Sequence, residues 1–391
     1  MDPKSAVAEM KEEIISLRRD LHMHPETAFT EERTAGIVSR RLRRLGYQVR
    51  EGVGKTGVVA LLDTGRPGPT LAIRADMDAL PLQEAPGRPY GSRIPGKMHA
   101  CGHDGHTAVA LAVATILAQG KDALRGRLLF LFQPAEEVLQ GARAMLDDGA
   151  LRDPRPDYLV GFHVDNTLPA GRVGVRAGIA WAAADKVALT FRGRSSHGAL
   201  PHLGVDAITM AAYAVAAIQN IVAREVSPVE PAVVSFGTIH GGVAFNIVAE
   251  SVELTGTLRT FREDVRSFLL ERLEAVARGV AAALRGEAAL EVLGGCPPVE
   301  NHPEVATVVR RAAEETVGPE KVVTPELFTV SDDMAFFLRE APGCYFTVGT
   351  YNPAKGATGP HHSPSFDIDE DALPIAAEVM VRTVLAYLGG P

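Results

Sequence analysis

The chain has 391 residues, 46% of them hydrophobic and 23% charged, the balance of a globular protein too long for one compact core, so two domains are expected. A formal charge of -8 with a pI near 5.9 leaves no basic footprint and argues against nucleic acid or an anionic membrane as partner. Three scattered cysteines, Cys101, Cys296 and Cys344, are too few for a disulfide framework and suit a reducing cytoplasm, with Cys296 and Cys344 read as packing residues.

The opening MDPKSAVAEMKEEIISLRRDLHMHP is charged throughout and lacks the apolar core of a signal peptide. Runs such as ALAVATILA end in charge well before the ~20 residues of a membrane span, so no spanning segment is expected. Apolar periodicity predicts helices over about residues 4–22 and 30–45, then strands in GVVALLD and PTLAIRADMD. A helix follows in HTAVALAVATILAQ, then strand GRLLFLFQPAEE, helix VLQGARAMLDDG and strand DYLVGFHV. Continuous apolar strands alternating with helices indicate an α/β fold with a mostly parallel sheet flanked by helices. Ligands in such sheets sit beyond the carboxyl ends of strands, where the polar residues of ADMD, QPAEE and FHV fall.

After about Ala183 the pattern changes to strand DKVALTFRGRSSH, helix DAITMAAYAVAAIQNIVARE, strands AVVSFGTIHGG and SVELTGTLRTF, helix DVRSFLLERLEAVARGVAAAL and strand AALEVLGG. That β-α-β-β-α-β order reads as a small ferredoxin-like α+β domain. The Gly- and Pro-rich GGCPPVENHPE then returns the chain to the α/β pattern. Residues 184–295 are therefore expected to be inserted between the two parts, 1–183 and 296–391, of a larger domain.

The densest chemistry is MHACGHDGH, Met98 to His106. It could hold a structural zinc, a redox thiol, a cysteine nucleophile or half of a catalytic metal site. One cysteine is too few for a zinc knuckle pair or a dithiol. A thiol nucleophile needs only a base and an orienter, yet it leaves the adjacent Glu136 and Glu137 of QPAEE unexplained, and acids ending a buried strand are costly unless cations or donors meet them. If Cys101, His103, Glu137, His163 and His362 all bind, five ligands would close a single tetrahedral ion, whereas a catalytic centre keeps a position open. Two ions sharing a bridge would instead hold a hydroxide and polarise a carbonyl, leaving Glu136 to move the proton.

RRDLHMHPE, ADMDALPLQE, MHACGHDGHT, FQPAEE, SSHGALPHLGVDAI, GTLRTF and HHSPSFDID together resemble, in order along nearly the whole chain, the motifs of the aminoacylase and carboxypeptidase-type metallo-amidohydrolases, in the branch with hippurate hydrolase and auxin-conjugate hydrolases. The resemblance implies a di-metal hydrolase domain with an inserted lid and dimerisation domain. It implies two divalent ions per subunit, zinc, manganese or similar, on Cys101, His103, Glu137, His163 and His362, with Glu136 as general base and acid. It places His197 as a histidine that reaches a neighbouring subunit's site and stabilises the oxyanion, and Asn246 and Arg259 on the substrate carboxylate. Asp78 would orient a ligand from behind. The wider family has a ligand histidine at the position of Asp76, which the branch replaces with aspartate, so the bridging residue stays open. The usual Ile-Pro after the asparagine is IVAE here.

The expected reaction is cleavage of the amide of a small-molecule N-acyl amino acid to a carboxylic acid and a free amino acid, by a homodimer formed through the insert, or a tetramer. A metallodipeptidase of the same family and a non-catalytic binding protein on the same fold are the alternatives. His22, His24 and His99 are expected to be histidines bonded to backbone. His106 and His202 stay open between substrate-facing and supporting roles, and His362 is preferred to His361 as the ligand. Ser331, Asp332 and Asp333 are read as the cap and first-turn acids of a helix.

Overall fold

The computed structural model describes residues 1–390, which form two compact units. The first comprises Met1–Ala180, Glu300–Glu326 and the segment from Asp333 onward. Its sheet has eight strands: β1 (Gln48–Val53), β2 (Gly57–Asp63), β3 (Thr70–Asp76), β4 (Arg127–Gln133), β5 (Tyr158–Pro169), β6 (Val173–Gly174), β7 (Val322–Val323) and β8 (Gly343–Tyr351), in the order β1-β2-β4-β3-β5-β8-β6-β7. The centre is parallel, β4 on β3 on β5 on β8, while β1, β2 and β4 pair antiparallel. Every residue of β3 is buried, as are all of β4 beyond Arg127 and all of β8 before Tyr351. That burial is why these strands read as unbroken apolar runs.

Helices Pro3–Met23, His103–Gln119 and Ala372–Leu388 pack on one another beside the sheet. The middle one buries fourteen of its seventeen residues, so its sequence is apolar all round and carries no amphipathic stripe. It begins at His103, three residues earlier than its apolar pattern suggests, which puts the metal-ligand types on its first turn. The two parallel neighbours β3 and β4 end in register at Asp76 and Gln133. The residues that follow them, Asp78 and Glu136, therefore emerge at one edge of the sheet.

The second unit, Trp181–Val299 with Leu327–Asp332, has an antiparallel sheet in the order 287–296, 183–192, 251–260, 232–241, carrying helices Ala207–Asn220 and Glu263–Ala283. Leu189, Phe191, Val252, Leu254 and Leu258 from the strands meet Met210, Ala214, Ile218, Leu269 and Leu273 from the helices in one core. Asp206 caps the first helix by accepting from the Ile208 and Thr209 amides. The chain order is the β-α-β-β-α-β order of the sequence reading. One correction concerns its extent: residues 327–332 belong to this unit and not to the larger one, because the Ala182 amide donates to the carbonyls of Phe328 and Val330 at 3.1 and 2.9 Å. The segment Ala207–Glu225 is long and apolar enough to cross a membrane by length and composition alone. Its Met210, Ala211, Ala214, Ile218 and Ile221 face is buried in the core of this unit.

Candidate metal centre and active site

Three backbone devices aim the side chains. Gly102, at φ 94°, turns the chain into the helix that begins at His103, and a Cβ there would lie 2.3 Å from Val164 Cγ2, so only glycine fits. After β4, Ala135 and Leu139 take left-handed conformations at φ 52° and 55°, bracketing the helical turn Glu136–Val138. His362 is likewise left-handed at φ 61°, its amide donating to the Ala100 carbonyl at 2.8 Å. Non-glycine residues hold such angles only where their surroundings fix them.

The surroundings here are carboxylates. Asp78 accepts the amides of Glu136 and Glu137 at 3.1 and 3.0 Å, and Glu31 accepts that of Ala135 at 2.9 Å. Three successive N–H groups are thereby satisfied, and the two glutamate side chains are turned toward the helix start. Glu31 is itself buried and also takes the Phe29 amide and the Thr56 hydroxyl.

Hydrogen bonding fixes which ring nitrogens are free. His103 Nδ1 donates to the Asp78 carbonyl at 2.9 Å, and His163 Nδ1 to that of Val164 at 2.6 Å. Both Nε2 atoms are thereby directed inward, that of His163 lying 3.5 Å from Cys101 Sγ. His106 differs: its Nε2 accepts the Val164 amide at 3.0 Å, so its Nδ1 carries the proton and donates to Asp76 at 2.6 Å. With both nitrogens used, His106 supports rather than binds. His361 Nε2 accepts the Asn166 amide at 3.2 Å, which leaves its neighbour His362, with Nε2 3.3 Å from Glu137 Oε2.

Two triads result. The ligand atoms of Cys101, His103 and His163 lie within 4.8 Å of one another, as do those of Cys101, Glu137 and His362. Cys101 belongs to both. His103 also lies within that distance of Glu136 and Glu137. His103 Nε2 and Glu137 Oε1 face each other across 4.0 Å, both buried and both without a hydrogen-bond partner. Within the triads, His163 Nε2 stands 3.5 Å from Cys101 Sγ and His362 Nε2 3.3 Å from Glu137 Oε2, roughly the spacing of atoms on one ion, and orphaned buried polar atoms call for an explanation. The donor set therefore fits divalent metal.

Charge agrees. Burial pushes the His103 imidazole down, but Asp76 and Asp78 outweigh it and lift it to about 10. Burial, with Asp78 and Asp76 adding repulsion, pushes the Glu137 carboxyl up against the pull of His103. Both directions register a surplus of negative charge that a cation would balance. Asp76, at the position left open for a bridge, is not spare: Arg74 Nη1 at 2.6 Å and His106 take its two oxygens.

Arg74 is fully buried and also binds Gln133, Tyr345 and Asp333. Here the reading of Asp333 as a first-turn acid is corrected. Its side chain makes no cap bond to helix Met334–Glu340 and instead accepts from Arg74, Gln133 and the Ala142 amide, because the buried Arg74 guanidinium needs an acid to meet it. His22 is also corrected, binding Asp104 and Glu84 rather than backbone, as is His99, which has no partner on either nitrogen. His24 does bond backbone, at Asp20, and His202 is exposed.

In the second unit, His197 and Asn246 lie on paired segments: the Gly198 amide donates to the Asn246 carbonyl at 2.7 Å, and His197 bridges Ile247. His197 Nδ1 accepts the Ala199 amide at 3.0 Å, so its exposed ring presents an Nε2–H donor. Arg259 is half-buried in the strand Ser251–Thr260 and donates to Thr257 and the Leu258 carbonyl. Burial lowers its affinity for the proton. Arg74 and Glu31 were missed as site residues; a charge inside the otherwise apolar run TLAIRA was the available signal for Arg74.

An α/β sheet whose strand ends gather Cys, His and paired Glu defines the metallohydrolase class. The model of peptidase family M20/M25/M40 matches residues 72–386, and the chain belongs to that family of hydrolases. The N-acetyl-L-cysteine deacetylase of Bacillus subtilis is 37% identical over 366 residues, 93% of this chain and 85% of that one. The IAA-amino acid hydrolase ILR1-like 2 of Arabidopsis thaliana is 33% identical over 379 residues, 96% of this chain and 85% of that one. Among solved structures, the YXEP protein of Bacillus subtilis, described as a dinuclear metal-binding peptidase of the M20 family, superposes with a TM-score of 0.81 at 32% identity, covering 97% of this chain and 99% of that one.

Burial, with Asp78 adding repulsion, raises the Glu31 carboxyl to about 7, against the Thr56 bond that lowers it. An acid held above its unfolded value contributes stability below pH 4.5 that is lost as pH rises through about 7. Glu31→Gln should therefore gain on wild type between pH 5 and pH 8, by on the order of 2–3 kcal/mol. Urea unfolding of chelated protein measures this, and a gap that does not move with pH would contradict it.

Proposed function

We propose that this protein is a two-metal amidohydrolase that cleaves the amide of N-acyl amino acids to a carboxylic acid and a free amino acid. The observation that carries the reading is the pair of ligand triads meeting at Cys101. Cys101, His103 and His163 would hold one ion and Cys101, Glu137 and His362 the other. Divalent ions there, zinc, manganese or similar, would supply Lewis acidity, polarising the scissile carbonyl and acidifying water.

The rest of the chemistry belongs to side chains. Glu136, buried and 3.8 Å from His103 Nε2, takes the proton of the attacking water and returns it to the leaving nitrogen. Asp78 keeps Glu136 and Glu137 aimed and His103 in its Nδ1–H form. His197 offers its Nε2–H to the developing oxyanion in a neighbouring subunit's site, and Asn246 and Arg259 bind the substrate carboxylate. The deacetylase and conjugate-hydrolase relatives support an N-acyl amino acid as substrate. A dipeptidase or carboxypeptidase action is the second reading, favoured by the peptidase relative, since a dipeptide is itself an N-acyl amino acid.

A homodimer through the inserted unit is part of this reading. Support comes from the edge strand Ala232–Gly241, exposed along most of its length, and the fully exposed Phe245 that follows it. Three free, buried cysteines support a cytoplasmic setting.

Hydrolysis of N-acetyl, hippuryl and dipeptide substrates by the metal-loaded enzyme should be fastest on an N-acyl amino acid; preference for the free dipeptide would favour the second reading. Glu136→Gln should lower kcat by about 10²–10⁴-fold with two ions still bound by elemental analysis, and undiminished turnover would remove Glu136 from this role. Cys101→Ser should lose metal together with activity, whereas full occupancy with no activity would point to a thiol nucleophile.

A further inference from the structure

The largest set of buried charges that the chemistry leaves unused surrounds Arg18, in helix Pro3–Met23. Its side chain is fully buried, and each guanidinium nitrogen meets a different carboxylate: Nε lies 2.9 Å from Asp104, Nη2 2.9 Å from Asp367 and Nη1 3.2 Å from Glu370. His22, one turn further along, binds Asp104 at 2.7 Å and Glu84 at 3.3 Å. Arg88 closes the ring, with Asp367 and Glu84 each at 3.0 Å, and donates to the Ser365 carbonyl. Asp104 is held well below the usual carboxylate range by Arg18 and His22 despite its burial.

Burying this many charges costs several kcal/mol per ion, and apolar packing would join the same helices at least as well. What apolar packing would not do is fix spacing. The guanidinium is planar and its nitrogens stand at set separations. The carboxylates it joins are informative by position: Asp104 directly follows His103, and Asp367 lies five residues beyond His362. Between β8 and helix Ala372–Leu388 the only helical turn is Pro353–Lys355, so the His362 segment relies on such contacts for its placement.

We propose that Arg18 is a positioning residue, a buried strut that holds the His103 segment and the His362 segment at the separation two ions require. This rests on the two-ion reading above. Its consequence is asymmetric. His103 is anchored by its helix and by Asp78, whereas His362 lies outside helix and strand, held by its amide's bond to the Ala100 carbonyl and, five residues on, by the strut, so loosening the strut weakens the ion of the Cys101, Glu137 and His362 triad first.

The test is a double-mutant cycle of Arg18→Lys, which keeps one cation but not the directed bonds to Asp367 and Glu370, and Asp367→Asn. Apo protein is titrated with Mn²⁺ by calorimetry, with near-UV circular dichroism and amide exchange over residues 359–371 alongside. Each single variant should keep the first ion at wild-type affinity, weaken the second about tenfold or more and speed exchange in the loop. The double variant should do little more than either single one, because both act through one contact. Unchanged affinities and exchange in both singles would overturn the strut. So would equal weakening of both ions with a lowered Tm, which marks a general folding defect. Wild-type protein that binds fewer than two ions would sink the two-ion reading instead; the strut then stands or falls on the loop exchange.

Discussion

Buried carboxylates at the ends of β3 and β4 are the constraint on which the rest of the first unit turns. Asp76, Asp78, Glu136 and Glu137 crowd together with side chains almost wholly buried, and each must be answered by a donor or a cation. Asp76 is answered by Arg74 and His106, and Asp78 by two backbone amides. Glu136 and Glu137 face His103, and there Glu137 Oε1 has no hydrogen-bond partner. The stability of the centre and its appetite for divalent ions thus have one electrostatic origin. Asp76 and Asp78 hold the His103 imidazole above its usual range, and burial pushes the Glu137 carboxyl up.

A second layer of charge keeps the first in place. Arg74 on one side and Arg18 on the other are each fully buried and each bind several acids. Such residues give the ligand-bearing turns a definite geometry at an energetic cost that apolar contacts would avoid. The left-handed Ala135 and His362 show the same economy, since local strain there is tolerated because hydrogen bonds on both sides determine the backbone.

Much of this was legible in the sequence because the fold writes itself as periodicity. The fully buried β3, β4 and β8 read as apolar runs, and the β-α-β-β-α-β order of the insert could be followed strand by strand. The short β6 and β7, two residues each, carry too little pattern to be seen, and β1, mostly exposed, shows no apolar face. Residues of the centre stood out by type and clustering. Their supports did not: Glu31, Arg18 and Asp333 look like ordinary surface charges until the chain is folded around them. The free ring nitrogens were beyond reach too, because a tautomer is set by which carbonyl or amide happens to lie opposite.

The position of β8 bears on how the chain is made. It sits between β5 and β6 in the sheet although nearly two hundred residues separate it from β5 in sequence. A nascent polypeptide leaving the ribosome amino end first can assemble the insert, whose strands are all local, well before β8 emerges. Until then β5 presents an unpaired apolar edge, so the interval between synthesis of His163 and of Thr347, its partner in register, is when the chain most needs protection from aggregation.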